Sequence, residues 1–364
     1  MKGLRKYLTP FAPDQSGAVS VLYELGGMLV ICDAGGCTGN VCGFDEPRWF
    51  ETRSAVFSAG LRDMDAILGR DDRLVAKLAD AAEKLDVTFA AVIGTPVPAV
   101  IGTDYRALER MLAKKTELPV LTVNTDGMEL YDKGEEKAYL ALFRKFYNDK
   151  LFDENEDDAD SREKDGQRVG IIGMTPQDIS DLKAADKIRK LYADQGQRAV
   201  CYGMGDGLEE VKKASQAVKN VVVSPAALKA AQYLKKQFGT PYEIAYPLVS
   251  ELVPEMDYKG KKILIIQQQV IANAVRKEIE KRTGEQETIT TATWFMQKEE
   301  ILEDLNVDAS DDVRLKEEDD FISLVENDGY DVIFADPCME RMIPEFKGRF
   351  IPLTHFAVSG KLRP

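Results

Sequence analysis

Residues 28–50 read MLVICDAGGCTGNVCGFDEPRWF, and this stretch decides how the rest of the chain is interpreted. It opens with four apolar residues, which predict a short buried strand. Gly35 and Gly36 then predict a tight turn, and two cysteines, Cys37 and Cys42, follow them. Open α/β sheets place their binding sites at the carboxyl ends of their strands. We therefore predict that this turn, with its two glycines and the two cysteines after them, is the active centre.

The same alternation of segments recurs on both sides of this stretch. An apolar run predicts a strand, and a segment with apolar residues three or four apart predicts a helix. The strands expected next are 89–93 and 120–123, and the expected helices are 15–26, 71–85, one that opens near 105, and 135–147. Residues 57–70 are more polar and are predicted to be a loop. Strands that alternate with helices predict a parallel sheet, so residues 1–152 are expected to form a Rossmann-like domain.

Residues 153–166 contain almost no apolar side chains and a high density of charge. This composition predicts a solvated acidic linker. The alternation restarts after it, and we expect a second Rossmann-like domain over 167–255 and a third over 256–364. Within them, 208–217 is predicted to be helical and the acidic run 311–325 to be a solvated, helix-like face. The predicted fold class is α/β, with three Rossmann-like domains built on parallel sheets.

Composition and charge exclude several classes of protein. The net charge of −14 at pH 7 would repel a nucleic-acid backbone or an anionic membrane surface, so neither is an expected partner. No apolar run reaches the roughly 18 residues of a membrane span. The first residues also lack the apolar core of a signal peptide. We therefore expect a cytoplasmic protein.

Cysteine and histidine usage narrows the chemistry. Three of the five cysteines lie within eleven residues, which in a reducing compartment indicates metal or redox chemistry rather than a disulfide framework. Cys32 ends the apolar strand and is better explained as a small buried side chain. His355 is the single histidine in the sequence, which excludes a multi-histidine zinc site within one chain. It could act as a catalytic proton donor, cap a helix or make a hydrogen bond in the core.

Five stretches of the chain resemble, in the same order, landmarks of nitrogenase component 1 proteins. They are YLTPFAPDQSGAV (7–19), ICDAGGCTGN (31–40), AILGRDDRLVAKL (66–78), AVIGTPVPAVIGTD (91–104) and KKILIIQQQVIANAVRKEI (261–279). Together they span nearly the whole chain, and the three-domain organisation expected above agrees with the fold of that family. The sequence is thus similar to a short, nitrogenase-like member of this superfamily.

The resemblance implies an oxidoreductase that works with a second protein. In such systems an ATP-dependent iron protein delivers electrons to an iron-sulfur cluster between two component 1 subunits, which transfer them to a substrate. The family's cluster cysteines correspond here to Pro13, Cys37 and Pro96, so only Cys37 is kept. This difference matters because a four-iron cluster needs about four ligands.

Cys42 lies five residues after Cys37 and could face the same way. Two cysteines from each of two subunits would complete the ligands of a shared [4Fe-4S] cluster across a two-fold axis. A homodimer is therefore the expected assembly, and a heterodimer with a paralogous subunit stays open.

The resemblance also bears on the substrate. The cysteine that anchors the nitrogenase active-site cofactor would fall near Val223 or Ser224, where there is no thiol. The expected substrate is therefore a small or tetrapyrrole-like molecule in a cavity between the domains, and not dinitrogen. Two other functions stay open: a scaffold for cluster or cofactor assembly, and a metal-free protein that binds a small ligand. Arg48 and Trp49 could line a docking face, a cavity or the dimer interface.

Overall fold

Three parallel β-sheets follow one another along the chain. The computed structural model describes residues 5–52, 54–62, 71–147, 165–284 and 286–363. Each sheet is flanked by helices, so the expected α/β class with three Rossmann-like units is confirmed. The predicted acidic linker lies outside the described residues except for 165–166, which begin a strand. The predicted domain limits stay predictions, and below we call the three sheets with their helices the first, second and third units.

The first unit has four parallel strands in the order β2-β1-β3-β4. They are β1 Met28–Ile31, β2 Ala55–Ser58, β3 Ala90–Ile93 and β4 Val120–Val123. Its helices are α1 Asp14–Leu22, α2 Gly36–Asn40, α3 Asp71–Ala82, α4 Pro96–Ile101, α5 Tyr105–Thr116 and α6 Tyr131–Phe146. The central strands β1 and β3 are buried throughout, which explains why they are continuous apolar runs. The turns after β1, β3 and β4 all lie at the carboxyl edge of this sheet.

The second unit has four parallel strands in the order β6-β5-β7-β8. They are β5 Asp165–Ile172, β6 Arg198–Tyr202, β7 Ala217–Val222 and β8 Tyr242–Ile244. Its helices are α7 Pro176–Ile179, α8 Ala184–Ala193, α9 Leu208–Lys212 and α10 Leu228–Phe238.

The third unit has five parallel strands in the order β11-β10-β9-β12-β13. They are β9 Lys262–Ile266, β10 Thr288–Thr293, β11 Val313–Arg314, β12 Val332–Ala335 and β13 Arg349–Pro352. Its helices are α11 Gln269–Thr283, α12 Glu299–Leu305, α13 Glu318–Asp328 and α14 Phe356–Ser359. No helix in the described parts of the chain is long and apolar enough to cross a membrane.

Three of the predicted segments differ from the structure. The expected loop 57–70 begins inside β2, an edge strand that is only half-buried and therefore lacks a continuous apolar run. The expected helix 208–217 ends at Lys212, because residues from 217 onward pair with β5. The acidic run 311–325 contains the short strand β11 before α13 begins.

The N-terminal segment packs on the third unit rather than on its own sheet. Leu8, Phe11 and Ala12 are buried in the cluster that contains Trp294 and Phe295. The carboxylate of Glu318, at the start of α13, accepts the backbone N–H groups of residues 6, 7 and 8 at 2.7–3.0 Å. The first and third units are therefore joined by the beginning of the chain.

Helix α6 is the element on which the three units meet. It packs against α1 so closely that only glycine fits at two positions. A Cβ atom at Gly17 would lie 1.9 Å from the carbonyl oxygen of Tyr131, and one at Gly134 would lie 1.7 Å from that of Asp14. The other faces of α6 contact β4, α9 and α10.

Candidate functional site

The glycine turn after β1 has the structure that the sequence predicts. Gly35 has φ 117°, a left-handed conformation that favours glycine. The Asp33 carboxylate accepts the Thr38 backbone N–H at 2.8 Å, the Thr38 hydroxyl at 3.0 Å and the Ser58 hydroxyl at 2.6 Å. It thus orders the start of α2 and joins it to β2. Gly36, the first residue of α2, is exposed, and a Cβ atom at this position would meet no described atom within 4 Å.

Cys37 lies on the first turn of α2 and is half-buried against the core of the first unit. Burial and the neighbouring Asp33 carboxylate raise the pKa of its thiol. The Thr95 hydroxyl at the end of β3 lies within hydrogen-bonding reach of that thiol. The same hydroxyl donates to the carbonyl oxygen of Cys32 at 2.6 Å. Cys32 itself is buried, as predicted, and burial raises its pKa to about 12.

Cys42 lies in a π-helical turn, Val41–Asp45, that continues α2. The Glu46 N–H donates to the Val41 carbonyl oxygen at 2.9 Å, which closes this wide turn. Such turns occur frequently at functional sites. The thiol is half-buried, and burial and the Glu46 carboxylate raise its pKa. Its neighbours therefore differ from those of Cys37.

Contacts connect the three positions at which the resemblance implies cluster ligands. Pro96 follows Thr95, the neighbour of the Cys37 thiol, and a Cβ atom at Gly127 would lie 2.6 Å from the Pro96 ring. The Gly127 N–H donates to the buried Asp14 carboxylate at 2.8 Å, and Asp14 follows Pro13. All three positions thus lie around the carboxyl edge of the first sheet. Among the described residues, no group of three or more His, Cys, Asp and Glu side chains could hold a metal ion.

Large apolar side chains are exposed along this same edge. We call them the apolar edge: Phe44, Val97, Val100, Ile101 and Met128. Val100 is 86% exposed and Met128 is 82% exposed, whereas most side chains of this size lie in the core. Contiguous exposed apolar surface commonly marks an interaction site.

Arg48, which could have lined a docking face, a cavity or the dimer interface, is buried, and it borders a cleft of about 590 Å³ between the first and second units. Its guanidinium donates to Glu46 through two nitrogens, both at 2.7 Å. It also donates to Glu24 at 2.9 Å, to the Gly203 carbonyl oxygen at 2.8 Å and to the Ser20 carbonyl oxygen at 2.6 Å. These bonds fasten the segment after Cys42 to α1 and to the second unit.

His355 lies in a polar junction between the three units. Its Nε2 atom is 3.3 Å from the Tyr131 hydroxyl, and its ring packs edge-on against Phe295. Its backbone N–H donates to Asp336 at 2.9 Å. The side chain is buried, which matches the core alternative considered above. Its role as a proton donor to a substrate stays a prediction.

The junction also contains buried carboxyl groups that the sequence did not reveal. The Tyr131 hydroxyl donates to Asp178 at 2.5 Å, and the Thr175 hydroxyl donates to Glu135 at 2.6 Å. Asp132, beside them, accepts the Met296 N–H at 2.6 Å, and burial raises its pKa to about 6. Charged residues on a predicted amphipathic helix are normally assigned to its solvent face. Only the packing of three units against α6 makes these carboxyl groups internal.

A cleft of about 590 Å³ opens where the same three units meet. Its lining includes Lys133 and Glu136 from α6, Lys229 from α10, and residues 296–300 from the third unit. Lys229 donates to Glu136 at 2.7 Å, and Lys298 bonds the other oxygen of that carboxylate. Burial lowers the pKa of Lys298. Burial opposes ionisation of Glu136 as well, but the two lysine hydrogen bonds leave its pKa below the ordinary value.

A profile of the family described as nitrogenase component 1 type oxidoreductase matches residues 14–249, about two thirds of the chain. A curated relative is the nitrogenase iron-molybdenum cofactor biosynthesis protein NifE of Bradyrhizobium diazoefficiens. It is 24% identical over 195 residues, which are 51% of this chain and 32% of the relative. The matched region therefore spans about a third of the length of NifE.

Two solved structures of nitrogenase Cp1, one at pH 6.5 and one at pH 5, have TM-scores of 0.69 and 0.68 with this chain. They are 12% and 14% identical to it. The superpositions cover 97% and 96% of this chain, and 87% and 84% of the nitrogenase chains. At this identity the similarity concerns the fold.

Proposed function

The chain belongs to the nitrogenase component 1 type oxidoreductase family, and we propose that it is the substrate-reducing component of a cytoplasmic two-component reductase. An ATP-dependent iron protein would donate the electrons, and the substrate would be a small or tetrapyrrole-like molecule rather than dinitrogen. The observation that carries this proposal is the half-buried Cys37 thiol at the carboxyl edge of the first sheet, next to the apolar edge. This is where open α/β sheets bind their ligands.

Cys37 and Cys42 would hold an iron-sulfur cluster, and Gly35 and Gly36 would leave its approach clear. The two thiols suit this role because they are only half-buried, whereas Cys32 and Cys201 lie in the core. Two thiolates are half of the four that a [4Fe-4S] cluster needs. When bound, such a cluster supplies one-electron transfer. Both thiols have raised pKa values, so metal binding must displace their protons and is expected to strengthen as the pH rises.

A second copy of this chain is the proposed partner at the cysteine site. Two-fold symmetry would bring two pairs of thiols together and would complete the ligand set. The apolar edge surrounds the same part of the sheet and would become buried in such a dimer. A heterodimer with a paralogous subunit would bury it equally and is distinguished by the measurements below.

The cleft between the units is the proposed substrate site. Its volume of about 590 Å³ falls within the roughly 300–1,000 Å³ range of small-molecule pockets. Three lysines and four glutamates line it, and Lys229 and Lys298 are already paired with Glu136, so the cleft offers both hydrogen-bond donors and acceptors to a polar substrate. His355 remains the proposed proton donor, because its ring contacts Phe295, the residue before the cleft-lining Met296.

A cofactor-assembly scaffold is the second candidate function. The similarity to NifE, which is named as a cofactor biosynthesis protein, favours it. A scaffold would bind a cluster or precursor at the same cysteines but would release it instead of transferring electrons. A metal-free protein that binds a small ligand would need neither cysteine.

The test is to purify the protein without oxygen and measure its iron, sulfide, absorption and EPR spectra. We expect about four irons per dimer in the wild type and loss of iron in both Cys37→Ala and Cys42→Ala. Cys338→Ala is the matched control, because Cys338 is also half-buried but lies in the third unit. Wild-type protein that stays colourless after cluster reconstitution would overturn the cluster and leave the metal-free function.

The loaded protein then separates the reductase from the scaffold. A reductase is expected to lose its reduced EPR signal when a substrate is added with iron protein and ATP. A scaffold is expected instead to transfer its iron to an apo-acceptor protein without ATP-dependent turnover.

A further inference from the structure

The junction behind the cleft contains two acidic side chains that no proposed reaction step uses. Glu135 belongs to α6 of the first unit and Asp178 to α7 of the second, and both are almost completely inaccessible to solvent, at 0% and 2% exposed. His355, from the end of the chain, closes the same junction. Two hydrogen bonds bring the two acidic side chains together: Thr175, three residues before Asp178, donates to Glu135 at 2.6 Å, and Tyr131, one turn before Glu135 on α6, donates to Asp178 at 2.5 Å.

Each carboxyl group uses one oxygen and leaves the other without a donor. Glu135 Oε1 accepts from the Thr175 hydroxyl, and Asp178 Oδ1 accepts from the Tyr131 hydroxyl. Glu135 Oε2 and Asp178 Oδ2 are buried and have no hydrogen-bond donor among the described residues. Two ionised carboxylates cannot bond each other, and burying them side by side is costly. One proton would satisfy both free oxygens by forming a short O–H···O⁻ bond between them.

We propose that Glu135 and Asp178 share one buried proton and that this proton holds the three units together at the junction. This proton-binding site lies between the units, and it does not involve the cysteines. Loss of the proton would leave two negative charges facing each other between α6 and α7. Separation of α6 and α7 would also loosen the cleft wall, because the carboxylate of Asp132, beside this pair, accepts the Met296 backbone N–H.

The groups around Glu135 and Asp178 favour the protonated form of the pair. Asp132 and Tyr139 face it from α6, together with the hydroxyl of Tyr131. Among the described contacts, no lysine or arginine hydrogen-bonds either carboxyl group. Burial and the Asp178 charge raise the pKa of Glu135 well above its ordinary value. The His355 ring also faces the pair, with its Nε2 atom 3.8 Å from Asp178 Oδ1, and Arg48 acts electrostatically on the neighbouring Tyr139.

A shared proton makes the stability of the folded chain depend on pH. The folded chain binds a proton that the unfolded chain has already lost above the ordinary glutamate pKa, so stability falls as the pH rises. At pH values between the ordinary glutamate pKa and the raised pKa of the pair, the unfolding equilibrium constant should increase tenfold per pH unit, which corresponds to about 1.4 kcal/mol. Between about pH 6.5 and pH 8 Asp132, with a pKa of about 6, and a histidine of the unfolded chain, which titrates near pH 6.5, also contribute to the slope, so the effect of the pair is the difference in slope between the wild type and Glu135→Gln.

The experiment is urea unfolding of the full chain across that window. In Glu135→Gln the amide N–H can donate to Asp178 as the shared proton does, so we expect a folded protein whose pH dependence is reduced by one proton. Asp178→Asn provides the same mimic from the other side if the first variant does not fold. Glu326→Gln, an exposed change on α13, is the control and should keep the wild-type slope.

A spectroscopic readout tests the proton directly. Infrared spectra of the wild type near pH 8 should contain the carbonyl band of a protonated carboxylic acid, and Glu135→Gln should lack it. An unchanged slope in Glu135→Gln, or the absence of that band in the wild type, would overturn the proposal. So would a slope that disappears in His355→Gln but persists in Glu135→Gln, because the proton would then belong to the histidine.

Discussion

At the scale of single residues, Arg48 shows how a side chain beside the cysteines can be structural. Its bidentate pair with Glu46 is removed from water, and both side chains are buried. A buried ion pair adds little net stability, but removing one partner leaves an uncompensated charge. The sequence could not reveal this, because Glu24, Ser20 and Gly203 reach Arg48 from distant parts of the chain.

We predict that Arg48→Met lowers the free energy of unfolding by about 3–5 kcal/mol, because it leaves Glu46 buried without its partner. Chemical denaturation monitored by circular dichroism measures this loss. The control is Arg110→Met on the exposed face of α5, which should change stability by no more than about 0.5 kcal/mol. Equal effects of the two changes would contradict a special role for the Glu46 pair.

The predictable residues are those whose role follows from local pattern. Cys32 ends an apolar run and is buried, and Gly35 occupies the left-handed turn that follows it. Glu135 and Asp178 were not predictable, because an acidic residue on a helix is buried only if a distant part of the chain covers it. The cluster-binding role of Cys37 and Cys42 depends on a partner and stays a prediction.

At the scale of elements, the contact between α1 and α6 depends on two glycines. The backbones approach so closely that the carbonyl oxygens of Tyr131 and Asp14 occupy the space of the missing Cβ atoms. Glycine inside a helix is unfavourable by about 0.5–1 kcal/mol relative to alanine. The close approach therefore explains why glycine is present inside each of the two packed helices.

We predict that Gly134→Ala destabilises the protein by about 1–3 kcal/mol or more, because the new methyl group must push α1 away from α6. Thermal and urea unfolding measure the change. Gly39→Ala in α2 is the matched control: its Cβ would meet no atom within 4 Å, so the helix propensity of alanine should leave stability unchanged or raise it by up to about 1 kcal/mol. A Gly134→Ala protein as stable as Gly39→Ala would show that the helices can separate freely.

Elements with a continuous or periodic apolar pattern were predictable, and short edge elements were not. The central strands β1 and β3 occur where the sequence predicts them, as do the largely buried edge strand β4 and the amphipathic helices α3 and α6. The edge strand β2 was missed because half-exposed positions tolerate polar residues. The two-residue strand β11 is too short to produce a pattern.

At the scale of the whole molecule, the repetition of units was predictable but their arrangement was not. Three successive series of alternating strands and helices predict three sheets, and the described residues form three. The packing of the N-terminal segment on the third unit and the polar junction around α6 join residues far apart in sequence. Local pattern contains no information on such contacts, so both the cleft and the buried acid pair became visible only in the structure.

At this scale, the proposed cluster leads to a test of how many chains assemble. The cysteine pair and the apolar edge lie at the same end of the first sheet, so a dimer that buries this edge would also complete the cluster ligands. We predict that Val100→Asp combined with Met128→Lys converts the proposed dimer to a monomer and lowers the iron of the proposed cluster in the same proportion, because a charged side chain in an interface core is costly. Sedimentation velocity and iron analysis of the same oxygen-free samples measure the two quantities.

Met111→Lys, at an exposed apolar position on α5 away from this edge, is the control and should remain dimeric and loaded with iron. A double variant that becomes monomeric but keeps all of its iron would show that one chain is sufficient to hold the cluster, whereas wild-type protein that is monomeric and iron-free until a second gene product is added would identify a heterodimer.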